Sequence, residues 1–86
     1  MADPSDYEPV LSAKVSSILL GLPKTKQQRL FDLLFQLAGQ PSQLGDYAEQ
    51  DASGRYIQFI LIGDYVIGFW PDHAVKEFRI VDIDIV

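Results

Sequence analysis

The chain contains no cysteine and a single histidine. Without thiols it has no disulfides, no cysteine-based metal site and no cysteine nucleophile. Its apolar runs fall far short of the ~20 residues that a membrane-crossing helix needs. No charged segment leads into an apolar one near the start, so no secretory signal is visible and a cytoplasmic location is expected. Positive charge is scarce in the second half. Residues 46–86 carry Arg55, Lys76 and Arg79 against eight acids, while residues 1–45 balance four bases with four acids, so the net charge of −5 belongs to the second half. Nucleic-acid backbones are held by clustered Lys and Arg that displace counterions. The acidic half therefore disfavours nucleic acid as a partner.

What is present is the composition of a folded domain, 48% hydrophobic and 22% charged over 86 residues. One domain over residues 7–86 is expected, after a polar, proline-bearing start at 1–6 that reads as loose. A domain of this size hides roughly 60% of the surface that its unfolded chain exposes. Its stability is expected on the order of 4–13 kcal/mol.

Tyr7 to Leu11 fits a short edge strand, where Pro9 is tolerated. Leu11, Val15, Ile18, Leu19 and Leu22 then fall on one helical stripe. Ser12 is the expected N-cap, and Gly21 and Pro23 the stop. A second helix opens with a Thr25–Gln28 capping box or with Pro23 at its first position. Gly39 and Pro41 end it. Its apolar residues Leu30, Phe31, Leu33, Leu34, Phe35, Leu37 and Ala38 span more than one side, so cover by both a sheet and the first helix is expected.

From residue 45 the period becomes two. Asp46 to Asp51 is a short candidate strand, and Arg55–Ile62, Tyr65–Trp70 and Lys76–Ile85 are three stronger ones. Gly63-Asp64 suits a type II′ turn. Strand 55–62 places Tyr56, Gln58, Ile60 and Ile62 on one face and Ile57, Phe59 and Leu61 on the other. The order predicts an α+β fold, with a two-helix hairpin packed on one face of a three- or four-stranded antiparallel sheet.

Few residues carry chemistry. His73 lies in a turn close to Asp72 and Glu77, as a general acid or base or as a solvated turn residue. Asp82 and Asp84 share a strand face, which offers two oxygen ligands and no third. Charges that discourage edge pairing explain them equally. No metal and no cofactor is expected. Arg55 and Arg79 can hold a phosphate or pair with Glu77 and Asp51. Tyr56, Tyr65, Phe69 and Trp70 form an aromatic group without interleaved bases, which suits a core or a protein interface better than base stacking. No P-loop, GxGxxG, HExxH or nucleophile-elbow pattern occurs.

Several segments agree in order and spacing with one family. GLPKTKQQRL closes the first helix, QLAGQP the second, and DASGRYIQF, GDYVIGFW and EFRIVDI follow. Over residues 7–86 the chain resembles the RelE/ParE superfamily, the toxin components of bacterial type II toxin–antitoxin modules. The resemblance implies a helical hairpin on an antiparallel sheet and an antitoxin protein from an adjacent gene. RelE-like members cut messenger RNA on the ribosome, and ParE-like members inhibit DNA gyrase.

The resemblance also locates departures from the family pattern. RelE-like members place Arg after the turn tyrosine, and here that residue is Val66. They place bases along the preceding strand, where this chain has Ile57, Phe59 and Leu61, or Gln58 if the register slips by one. A catalytic His, Arg or Tyr after the last strand corresponds here to Asp84-Ile85-Val86. Stabilising a transition state on phosphate needs positive charge or a proton donor, which aliphatic side chains lack. The expected function is a toxin homologue without the RelE-type ribonuclease site, acting through protein interaction. Antitoxin binding, self-association as a homodimer and a gyrase-like target all fit, over a surface of Ile57, Phe59, Leu61, Val66 and Trp70. The alternative is an active mRNA interferase with non-standard catalytic residues drawn from Arg55, Asp72, His73, Glu77 and Arg79.

Overall fold

The two hydrophobic periods of the sequence become two layers, helical first and then stranded. A computed structural model describes residues 7–86, so the start at 1–6 lies outside the described residues. The elements are β1 (Glu8–Leu11), α1 (Ala13–Leu20), α2 (Lys24–Ala38), β2 (Tyr47–Gln50), β3 (Tyr56–Ile62), β4 (Tyr65–Asp72) and β5 (Glu77–Ile85). Strands β2 to β5 form an antiparallel meander, and the sheet order is β1-β5-β4-β3-β2. The fold is α+β. Its sheet has five strands and is mixed, unlike the three or four antiparallel strands expected, because β1 pairs parallel to β5. Parallel neighbours need a long connection, and the helices and the meander supply it.

Local signals set most element ends. The Ser12 hydroxyl accepts from the Val15 N–H at 3.2 Å, capping α1. Gly63 has φ 59°, as the first turn residue of a type II′ hairpin requires, and Ile62 faces Tyr65 across the turn. The start of α2 differs from expectation. Pro23 precedes the helix as its cap residue without a side-chain bond, and Gln28 donates to Asp32 at 3.1 Å, so no capping box forms. Pro71 falls inside β4, but the ladder to β3 ends at Gln58–Phe69, so its missing N–H leaves no bond unmade there.

The core lies between the helices and one face of the sheet. Val15, Leu19, Leu30, Leu34, Leu37 and Ala38 meet Ile67, Phe69, Phe78, Ile80 and Ile83 there. Phe69 and Phe78 stack with centroids 4.8 Å apart. A bulge between Gly68 and Phe69 pairs them with Asp82 and Ile80, leaving Val81 as the extra residue. It resets the alternation. Ile80 and Ile83 thus both face the helices, while Arg79 and Asp82 both face away. The expectation that α2 is covered on two sides fails for Phe31 and Phe35, which are exposed. They sit on the flank away from the stripe Leu30, Leu34 and Leu37.

Candidate functional site

The helices cover one face of the sheet and leave the other open. Alternation brings Tyr47 and Glu49 of β2, Ile57, Phe59 and Leu61 of β3, Val66, Gly68 and Trp70 of β4, and Arg79, Asp82 and Asp84 of β5 onto that open face. Its two ends differ in chemistry.

At the hairpin end the face is mainly apolar. The Tyr47 and Phe59 rings stack 5.1 Å apart. Phe59 then lies across Gly68, where an added Cβ would come within 2.8 Å of its ring. That close approach is why this strand position holds glycine. Leu61, at 56% exposure, lies beside Val66, and Asp84 borders Val66 on its other side. The Asp46 carboxylate accepts from the Leu61 N–H at 2.7 Å and pins this rim. Asp82 pairs with Lys14 Nζ at 2.6 Å. Lys14 belongs to α1, so its ammonium reaches the open face past β5, beyond the last β1 pairing at Leu11–Ile80. The pair of Asp82 and Asp84 read as cation ligands is thus already split by an ion pair, and no group of three potential metal ligands occurs among the described residues.

At the other end the face is aromatic and charged. The Arg55 guanidinium lies 3.9 Å from the Trp70 ring centroid, and that of Arg79 5.6 Å away. Arg79 bonds Glu77 at 2.6 Å and approaches Asp72 at 3.5 Å, while Arg55 approaches Asp51 at 3.6 Å. Arg55, Arg79 and Trp70 help to line a shallow cavity of about 260 Å³ that includes Val10 and Ser12. Both cations therefore stack on one indole and both have carboxylate partners. Cation–π contacts of this kind contribute ~0.5–2 kcal/mol.

The remaining candidates separate. His73 sits on the β4–β5 turn with its Nδ1 2.6 Å from the Tyr7 hydroxyl, and the two rings meet edge to face. Asp72 and Glu77 turn to Arg79 instead, so no histidine–carboxylate pair forms among the described residues. Ile57 lies on the open face but is only 5% exposed, so unlike Leu61 it is not available as the contact residue expected from the sequence. The aromatic group splits across the sheet. Phe69 is in the core, Tyr65 packs against it, and Trp70 lies on the open face. Sequence reasoning did not find the Tyr47–Phe59 stack, the Lys14–Asp82 bridge or the Arg55–Trp70 contact. The hairpin register carried a signal for the last, since counting outward from Ile62–Tyr65 brings Arg55 close to Trp70.

A second cavity, of about 350 Å³, lies between α2 and the β3–β4 turn. Leu30, Leu33, Ile62 and Tyr65 line it, with Arg29 and Asp32 beside them. It groups no acid, base or nucleophile in a catalytic arrangement. No helix among the described residues is long and apolar enough to cross a membrane. No protein-family model, curated protein or solved structure matches the chain.

Proposed function

We propose that the chain is a RelE/ParE-like toxin homologue of a bacterial type II toxin–antitoxin system, lacking the RelE-type ribonuclease site and acting through protein contacts on its open sheet face. One observation carries this reading. Val66, where RelE-like toxins place an Arg, lies between Leu61 and Asp84 in the sheet. The aliphatic side chain supplies nothing to offset the negative charge that builds on a phosphate during cleavage, and the acid opposes it. The layered α+β architecture and the motif order support the family. Such a protein works in the cytoplasm, with an antitoxin from an adjacent gene covering the open face and self-association or a gyrase-like target as its other contacts.

Induced expression in a bacterium lacking the antitoxin tests the reading. Growth arrest with intact messages supports it, and cleaved messages overturn it. Val66→Arg is expected to give no ribosome-dependent cleavage, because Ile57, Phe59 and Leu61 still line β3. Gain of cleavage by that single variant would sink the account.

One observation favours the alternative interferase. Arg55 and Arg79 converge on Trp70, a cationic and aromatic patch able to hold a nucleotide. Message cleavage that disappears in both Arg55→Ala and Arg79→Ala would select it.

A further inference from the structure

We infer that the open sheet face of one copy docks the helical layer of a second copy, so that the protein associates head to tail. This rests on the reading of the open face as an interaction surface. The occupant follows from charge. Residues 12–45 carry four bases against one acid, and residues 46–86 carry eight acids against three bases. Because the helices lie on one face only, this split along the chain becomes a split in space for every base of residues 12–45 except Lys14, which reaches Asp82 on the open face. Among the described residues Lys24, Lys26 and Arg29 of α2 form no ion pair, and neither do Glu49, Asp64 and Asp84 of the sheet layer.

Both layers also present apolar groups to solvent. Phe31 and Phe35 form a ridge on α2, with centroids 6.4 Å apart and Phe35 58% exposed. Lys24 continues that ridge at helical spacing toward the N-terminus of α2. Lys24 lies at the helix end where the backbone dipole is also positive, so packing within the chain gains nothing from it there. The open face offers Tyr47 and Leu61, more than half exposed, beside Glu49 and Asp84. An aromatic ridge that ends in Lys24 fits an acid-rimmed apolar face, and this chain carries both. The two surfaces differ, so the contact is heterologous and adds copies in a ring or a row.

Sedimentation of the full chain over a wide concentration range tests this. The mean mass is expected to rise with concentration and to fall toward the monomer in added salt, which screens exposed charges. Phe35→Glu and Leu61→Lys each remove one surface at an exposed position, and circular dichroism checks that both stay folded. Each alone is expected to be monomeric. Their equimolar mixture is expected to stop at a one-to-one dimer, because one variant keeps the sheet face and the other keeps the ridge. Lys24→Glu, which leaves both apolar patches in place, is expected to weaken association severalfold.

A wild-type chain that stays monomeric overturns the inference, as does a mixture that forms no dimer. Association that survives Phe35→Glu but not Leu61→Lys assigns the face to an isologous sheet-to-sheet contact and also overturns it. A monomer that still arrests growth, and loses the arrest in Leu61→Lys, removes the head-to-tail contact and leaves the proposed function standing. A monomer that neither arrests growth nor binds an antitoxin removes both.

Discussion

The two faces of one sheet obey different rules in this protein. On the helix side Ile67, Phe69, Phe78 and Ile80 are fully buried and serve one core. On the other side Phe59, Leu61 and Val66 are equally apolar but remain half-buried or exposed. The same alternating strands supply both faces. The difference lies in what covers them, and two helices suffice for one side only. Apolar area left in water contributes little to folding and remains for association.

Substitutions at matched positions break or sharpen this contrast. Phe69→Ala is expected to cost about 3–5 kcal/mol, from lost burial and a cavity that cannot collapse. That is a large part of a total on the order of 4–13 kcal/mol, so the urea midpoint should fall sharply or the fold be lost. Phe59→Ala removes the same ring from the open face. It forfeits chiefly the Tyr47 stack and is expected to cost about 1 kcal/mol. Equal losses at the two positions would erase the distinction between the faces.

Gly68→Val comes next. Its Cβ would meet the Phe59 ring at 2.8 Å and the Asp82 Cβ at 3.2 Å. Overpacking of this kind costs about 1–3 kcal/mol. In a Phe59→Ala background the same change should cost clearly less, because the ring it strikes is gone, and a double-mutant cycle reads that coupling. A strictly additive pair would show that the ring does not rest on Gly68.

Arg55→Ala is expected to cost only about 0.5–1 kcal/mol, since the contact with Trp70 is partly solvated. Trp70 is the chain's single tryptophan, so its emission reports the lost guanidinium directly. An unchanged spectrum would argue against the stack.

The smallest expected effect is on pH dependence. Ser53 Oγ, with the Ser53 and Arg55 N–H groups and the Arg55 charge, holds Asp51 below its ordinary value of 3.8. Its contribution is therefore present above 3.8 and lost as pH falls through the lower folded value. A hydrogen bond and charge from Asp82 hold Lys14 above its ordinary 10.5. That contribution is present below 10.5 and lost as pH rises through the higher folded value. Stability from these two groups is thus level between the limits and bends gently beyond both, since both groups are exposed. Asp51→Asn should flatten the acid bend and Lys14→Met the alkaline one in thermal melts across pH.

The elements that were legible in the sequence are those set by near neighbours. Ser12 caps α1 because its hydroxyl reaches an N–H three residues on. Gly63-Asp64 forms the hairpin because glycine adopts the positive φ that the turn demands. Alternation in β3 decides which residues share a face, since successive side chains point to opposite sides. The Arg79–Glu77 and Arg55–Asp51 pairings were also within reach, spanning two and four residues. The lone histidine could be placed in a turn, but not beside Tyr7, which is 66 residues away in the chain.

The sequence by itself determined the helical and alternating segments, the turn, the composition of each strand face and the charge division between the two halves. Only the tertiary structure decided which face the helices cover, that β1 closes the sheet in parallel, that Phe31 and Phe35 stay outside, and that Lys14 reaches Asp82. The reason is range. Periods, caps and turns arise from interactions within a few residues, whereas cover and pairing across the sheet arise when distant segments compete for the same apolar surface. The bulge at Val81 shows the boundary, since a single extra residue in the pairing exchanged the faces of everything after it.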